Sequence, residues 1–457
     1  MDVRAPLISQ VAVPAATLRT LAQTDPARFP VLLDSAAEGP LTRYSLLAFE
    51  PSATLVRDAQ GALTASGMQP GPGGFIDNLD AWLRRERRPR DASKPLPFMG
   101  GWIAYLSYEL AQEVEPVLRM PASSSPYSAF ALRVEHLAVY DHLTNILYAV
   151  SENGDATQHA RLVALLEEAA RRPLPEEESN PRVDRWAEEA PEKFLARVRR
   201  AQEYIAAGDI YQANLSRPWR LRLGAGVDPA QVYPALRRAN PAPFAASVSF
   251  GGVSLLSSSP ERLLEVRGRE LSTRPIAGTR RRTGDAEQDA RYTAELIAHQ
   301  KERAEHVMLI DLERNDVGRV CEAGSVHVDE YMVTESYAHV HHIVSNVRGT
   351  LRRDATAVDA LRALFPGGTI TGCPKVRCMQ IIAELEGEGR GAYTGSLGWL
   401  GTDGDADFNI LIRTLTLRGD RIELRAGAGI VADSVPEREL EETRAKALGM
   451  LRAFEPT

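Results

Sequence analysis

The stretch that most constrains this chain runs from Thr293 to Asp316, TAELIAHQKERAEHVMLIDLERND. It contains no Pro or Gly and is rich in Ala, Leu, Glu and Lys, so it predicts a single helix. Val307 to Leu312 is apolar on almost every side, which predicts burial. Glu302 and Glu305 stand three apart and share a face, on one stripe with Ala298 and Leu309. Two like charges at that spacing on a buried face repel, and desolvation adds to the cost. They need a shared cation. A hard divalent ion such as Mg²⁺ takes few carboxylates and fills its other positions with water or an anionic substrate. The plainer alternative is a solvated Glu-rich face with Lys301 and Arg303 as partners.

Around this helix the chain alternates short apolar runs with turns. Strand-like runs occupy Pro30–Ala36, Tyr44–Pro51 and Ser52–Asp58, and Leu132–Asn153 reads as a hairpin. Helical spacing marks Phe75–Arg85, His159–Arg172, Glu192–Ala207, Thr356–Phe365, Val376–Glu386 and Pro436–Phe454. Asp209–Leu223 and Tyr337–Leu351 each predict one strand, Val248–Pro275 two or three, and Ser396–Ser434 three. PLPEEESNPRVDRWAEEAP, residues 173–191, reads as a linker between a region 1–172 and a region 192–457. Hairpin connections dominate over regular βα alternation, which predicts an α+β fold with antiparallel sheets. No G-x-G-x-x-G follows a strand and no Walker A motif is present, so nucleotide binding has no support.

With 457 residues there is room for a large core. The net charge of −7 argues against nucleic acid, and no run approaches the ~18 apolar residues that cross a membrane. Cys321, Cys373 and Cys378 form neither a disulfide framework nor a zinc pattern, and read as reduced thiols of a cytoplasmic protein. The N-terminus lacks the charged and apolar regions of a signal peptide.

A second acidic cluster lies on the last helix, where Glu439, Glu442 and Lys446 follow one edge. A carboxylate pair beside an ammonium could hold a metal and the carboxylate the metal binds; a Glu442–Lys446 helix pair is the bland reading. Ser434 and Glu437 predict a capping box for this helix. Arg413, in the otherwise apolar NILIRTL, needs an anion, and a carboxylate suits a guanidinium. His341 and His342 face opposite ways on a strand, so at most one enters a common site. Glu261 in SSPER, Thr369 in GGTITG and Tyr393 complete the candidates.

Taken together, SPER, RPIAGT, KERAEHVMLIDLERND, GGTITGCPKVR, GAGIVADS and EETRAK resemble the chorismate-utilising enzymes, in that family's order. The family contains anthranilate synthase, aminodeoxychorismate synthase, isochorismate synthase and salicylate synthase. The resemblance implies two large antiparallel sheets packed with surrounding helices. It implies Mg²⁺ between Glu305 and Glu442, with Glu302 and Glu439 close by. Tyr393, Arg413 and the backbone of Gly427, Ala428 and Gly429 would hold the enolpyruvyl carboxylate of chorismate. Gly278 and Thr279 would touch substrate, and Lys446 would assist a carboxylate. His342 and Thr369 would lie near the C4 hydroxyl that leaves, and Glu261 would move the proton.

Family members that add water carry a lysine general base where this chain has Gln212, which favours ammonia as the nucleophile. YQANLSR and FPGGTITG are similar to the members that form 4-amino-4-deoxychorismate. Ala277 is similar to the anthranilate-forming members, because other aminating relatives carry there a lysine that attacks the ring. The resemblance also implies a separate glutamine amidotransferase subunit as the source of ammonia. Ser35, Arg43, Tyr44, Pro243 and Phe244 would line a tryptophan pocket; plain strand core is the alternative. A catalytically silent, ligand- or partner-binding relative is the reading from another class, and the clustered charges argue against it.

Overall fold

A computed structural model describes residues 5–37, 39, 41–172, 180–298, 300–336 and 340–454. At 277, 279–281, 286, 296–298, 300–302 and 340 it describes the backbone alone. The described residues form two large sheets in which the pairings are antiparallel. One has twelve strands and runs from Leu7–Val11 at one edge, through Val31–Asp34, Phe244–Phe250 and Val253–Ser259, to Gln212–Leu223 and Val183–Glu188. The other has eleven and runs from Ile276–Arg281 through Arg262–Arg267, Ala406–Ile410 and Ser396–Gly401 to Gly101–Leu106 and Leu63–Ser66. Both sheets take strands from either side of the 173–191 segment. Val31–Asp34 pairs with Phe244–Phe250, and Gly101–Leu106 pairs with Ser396–Gly401.

Alternating faces explain the layering: Gly101–Leu106 is buried on both sides, with Trp102, Ala104 and Leu106 in one apolar layer and Ile103 and Tyr105 in another. Leu46, Ile103, Phe130, Leu132, Val248, Leu255 and Trp399 fill the space between the sheets. A second apolar layer packs helices Phe75–Glu86, Ala357–Leu364 and Lys375–Glu386 onto the sheets, and a third packs Ala156–Ala170, Val232–Ala239 and Pro436–Leu451. Each fully buried large apolar side chain contributes about 1.5–3 kcal/mol.

Several local readings change. Val183–Glu188, read as linker, is an edge strand paired with Gln212–Leu223, its side chains largely outside the core as edge positions allow. Ser434 does not cap the last helix: the N-cap is Val435, and Ser434 Oγ instead accepts from the Val431 backbone N–H at 3.1 Å. Ala286–Ala298 and Gln300–Gly318 are helical, with residue 299 outside the described ones. We call Gln300–Gly318 the central helix. Its apolar run is not buried all round: Leu309, Ile310 and Leu312 are buried, whereas Val307 is 41% exposed.

The change that matters most concerns Ser396–Ser434. It contains four strands rather than three, because NILIRTL breaks at Leu411–Arg413. Ala406–Ile410 belongs to the eleven-stranded sheet and Thr414–Arg418 to the twelve-stranded one. Likewise Val253–Ser259 and Arg262–Arg267 lie in different sheets, and the chain passes between them at Pro260–Glu261. Strands that switch sheets turn at such bends.

Candidate functional site

Those two crossovers lie side by side. The Ile410 N–H donates to the Glu261 carbonyl at 3.0 Å, and the Ser258 N–H donates to the Arg413 carbonyl at 3.0 Å. Glu261 and Arg413 are thus both placed where the sheets exchange strands. Arg413 sits at φ 52°, a left-handed conformation that costs a residue with a Cβ roughly 1–2 kcal/mol. Thr394, at φ 61°, is the next residue after Tyr393, and its N–H donates to the Leu411 carbonyl at 2.7 Å. The Tyr393 turn and the Arg413 crossover are therefore tied together, and strain of this kind gathers at functional sites.

Glu261 is buried and accepts a 2.7 Å hydrogen bond from Thr369 Oγ1. Burial pushes its carboxyl up to about 7, against the opposing pull of Thr369, Lys446 and Arg413. Arg413 is itself lowered, first by desolvation, with Glu261 acting in the other direction. His342 is driven down to about 4 by burial and then by Arg413, while a hydrogen bond with the Gly278 backbone works the other way. At neutral pH it is an uncharged imidazole. His341 faces elsewhere: its Nδ1 lies 2.7 Å from Ser336 Oγ and its Nε2 3.7 Å from Asp289. Strand alternation separated the two histidines as expected.

Tyr393 adjoins the Gly427–Gly429 backbone and lies within electrostatic reach of Glu261. Burial lifts the Tyr393 phenol to about 12, so it stays a hydrogen-bond donor. A Cβ on Gly427 would lie 2.6 Å from the Tyr393 hydroxyl oxygen and 2.7 Å from Asn214 Oδ1; a Cβ on Gly429 would lie 2.5 Å from Gln212 Nε2. Glycine is required at 427, where the Leu215 carbonyl also lies 2.7 Å from such a Cβ, whereas at 429 a Cβ would displace only the end of the Gln212 side chain. Ala428 lies between them, buried. Lys446 Nζ donates to the Gly427 carbonyl at 3.0 Å and pairs with Glu442 at 2.7 Å. Behind Tyr393, Glu386 holds both Arg390 at 2.6 Å and Arg425 at 3.0 Å. Burial raises the Glu386 carboxyl, but the two guanidinium groups outweigh it and hold the group low.

Asn214 was not singled out in the sequence. Its Oδ1 and Gln212 Oε1 are buried acceptors without a protein hydrogen bond. Both lie on one face of the Gln212–Leu223 strand, beside Gly429 and Gly427. The signal was available in the period of two within YQANLS.

Ala277 and Thr279 pair through their backbones with Ile343 and His342, which sets their strand against the site, with Gly278 at φ 66° between them. Their side chains, and that of Glu302, lie outside the described residues. Glu305 on the central helix and Glu439 on the last helix are half-buried, and Glu442 is exposed. Among the described residues no group of three or more His, Cys, Asp or Glu side chains is arranged for a metal. The donors present are carboxylates, the oxygen chemistry Mg²⁺ takes. An ion held by two of them would draw its other ligands from water and substrate.

A separate cavity of about 340 Å³ is lined by Ser35, Arg43, Tyr44, Pro243 and Phe244, so the structure does bring these five together. Arg262 stacks on Phe244 at 5.3 Å and Arg267 on Trp399 at 4.9 Å in the same wall. Arg267 Nη1 is buried without a hydrogen-bond partner.

The chorismate binding enzyme family model matches residues 31–452, and the chain belongs to that family. It is an enzyme that acts on chorismate. The chain is 41% identical over 437 residues to the aminodeoxychorismate synthase component 1 of Bacillus subtilis (strain 168), covering 93% of this chain and 91% of that one. It is 40% identical over 458 residues to the anthranilate synthase component 1 of Thermus thermophilus, covering 99% and 97%. The fold matches the crystal structure of anthranilate synthase component I from Streptococcus pneumoniae TIGR4 with a TM-score of 0.80 at 33% identity, over 90% of this chain and 93% of that one. Among the described residues no helix is long and apolar enough to cross a membrane.

Proposed function

We propose that this chain aminates chorismate with ammonia from a separate glutamine amidotransferase subunit, forming 4-amino-4-deoxychorismate on the way to 4-aminobenzoate and folate. The observation that carries this reading is Glu261. A carboxyl that titrates near 7 between Arg413 and Lys446 can give a proton to a leaving group at neutral pH. In the reaction a C–N bond forms to the ring and the C4–O bond breaks. The hydroxyl takes the Glu261 proton and leaves as water, and the added nitrogen gives up one proton as it becomes the amine, which restores the Glu261 carboxyl. Thr369 orients Glu261, and neutral His342 can hydrogen-bond the departing oxygen. Arg413, Tyr393 and the Gly427–Gly429 backbone suit the enolpyruvyl carboxylate, with Lys446 adding charge. Gln212 offers an amide, which cannot deprotonate water, so ammonia is the fitting nucleophile.

Glu305 and Glu442, with Glu302 and Glu439, would hold Mg²⁺. When bound, the ion supplies positive charge to the ring carboxylate. Tryptophan would occupy the cavity walled by Tyr44 and Phe244. A cytoplasmic setting fits the three free cysteines.

One observation favours a second reading, anthranilate formation. Ala277 cannot form the ring adduct of the lysine-bearing relatives, so C4 amination must depend on positioning of ammonia. A test of the shared claim is turnover of chorismate by the isolated chain. Ammonium salts should support it increasingly as pH releases free ammonia, and glutamine alone should not. Glutamine-driven turnover by the pure chain would contradict the need for a partner subunit.

A further inference from the structure

Thr369 reaches Glu261 from a turn, Gly368–Ile370, inside the segment 365–374 between two helices. That segment is closed by one side chain. Lys375 Nζ, at the start of the next helix, donates to the Leu364 carbonyl at 3.1 Å and forms an ion pair with Asp316 of the central helix. Both charges are buried, with side chains 10% and 3% exposed. Within the closed segment Thr371 Oγ1 donates to the Gly367 carbonyl at 3.0 Å, and the Thr371 carbonyl accepts from the Asn214 N–H at 2.9 Å. Gly368 is pressed onto the central helix: a Cβ there would lie 2.5 Å from Leu312 Cδ2 and 3.1 Å from Glu313 Oε1.

We propose that Lys375 and Asp316 are positioning residues: their buried pair clasps both ends of the 365–374 segment to the central helix and so holds Thr369 against Glu261. The proposal rests on the reading of Glu261 and Thr369 given above. An ion pair buried this far from bulk water is stiff when both partners are present, and costly when one is removed. Its geometric consequence is specific. The clasp fixes Leu364 and Lys375, the intervening turn cannot slide along Leu312, and Thr369 has one place to point. Glu261 is faced by Thr369 from this turn, Lys446 from the last helix and Arg413 from the second crossover, with Glu313 of the central helix behind. Of these, Thr369 is the hydrogen-bond partner carried on the clasped segment, while Glu313 lies within the field of Asp316 and Lys375 themselves.

The test compares Lys375→Met, the charge-free pair Asp316→Asn/Lys375→Met, and Lys375→Arg, each alone and combined with Thr369→Val. The charge-free pair avoids a carboxylate at 316 left without its cation, removes the Asp316 charge from beside Glu313, and keeps the test valid if Lys375→Met fails to fold. Turnover of chorismate with ammonium should fall about tenfold to a hundredfold in the charge-free pair, with KM for chorismate little changed. In the Thr369→Val background the same change should cost no more than about twofold, because the clasp acts through Thr369. Lys375→Arg should recover part of the loss. The limb of the pH–rate profile set by Glu261 should move up in both Thr369→Val and the charge-free pair. A full multiplicative loss in the Thr369→Val background, or unchanged turnover, overturns the proposal. Crystal structures give a readout independent of activity. Thr369 Oγ1 should move beyond about 3.5 Å from Glu261 in the charge-free pair, and an unchanged contact overturns the proposal. If the wild-type chain does not turn over chorismate, the functional reading fails and this distance alone decides.

Discussion

Glu261→Gln should stabilise the protein while abolishing its activity. The buried carboxyl is raised from the ordinary 4.5 to about 7. At pH 4.5 and below, folded and unfolded chains both hold the proton and the group contributes nothing. Between 4.5 and about 7 the unfolded chain releases the proton and the folded chain keeps it, so stability falls as pH rises. Above about 7 the penalty is complete. At ~1.4 kcal/mol per pH unit it amounts to ~3 kcal/mol. Glutamine carries no such cost, and its Oε1 still accepts from Thr369. With an unfolding entropy of ~2 cal/mol/K per residue, a chain of this length should gain about 3 °C in Tm at pH 8. The assay is thermal unfolding of both proteins from pH 4.5 to 8.5. The difference should open between 4.5 and 7 and then stay level. A variant no more stable than the wild type at pH 8, or a difference independent of pH, would refute the placement of Glu261 as a buried neutral acid.

Two further outcomes are expected. Chelator should silence the enzyme and Mg²⁺ restore it, and Glu305→Ala or Glu442→Ala should remove activity with Tm little changed; full activity in excess chelator contradicts the metal assignment. Tryptophan should bind with heat detectable by calorimetry, and Phe244→Ala should weaken it about tenfold by removing an aromatic wall; an unchanged affinity places tryptophan elsewhere.

Much of the site could be read from residue types and spacing. The alternation of a strand separates His341 from His342 without any coordinates. A guanidinium within the apolar run NILIRTL calls for an acidic partner or ligand, and the structure places Glu261 within electrostatic reach of Arg413. What stayed hidden depended on contacts distant in sequence. NILIRTL has the composition of one continuous strand, and nothing local shows that Arg413 turns left-handed as the chain leaves one sheet for the other. The same holds at Glu261, whose backbone partner across the seam is the distant Ile410. Ser434 has the right chemistry for a helix cap, yet its hydroxyl serves the Val431 N–H. Val183–Glu188 looks like linker because an edge strand needs few buried side chains. Lys375 and Asp316 gave no local sign, since their pairing depends on how three helices meet.

The central claim concerns where nitrogen ends on the ring. The most direct measurement is the product formed from chorismate, Mg²⁺ and ammonium by the isolated chain, identified by mass and by fluorescence. The account predicts a product that retains its enolpyruvyl group and becomes 4-aminobenzoate only after a separate lyase is added. Pyruvate release with blue-fluorescent anthranilate, without lyase, would contradict it and make Ala277 the decisive residue.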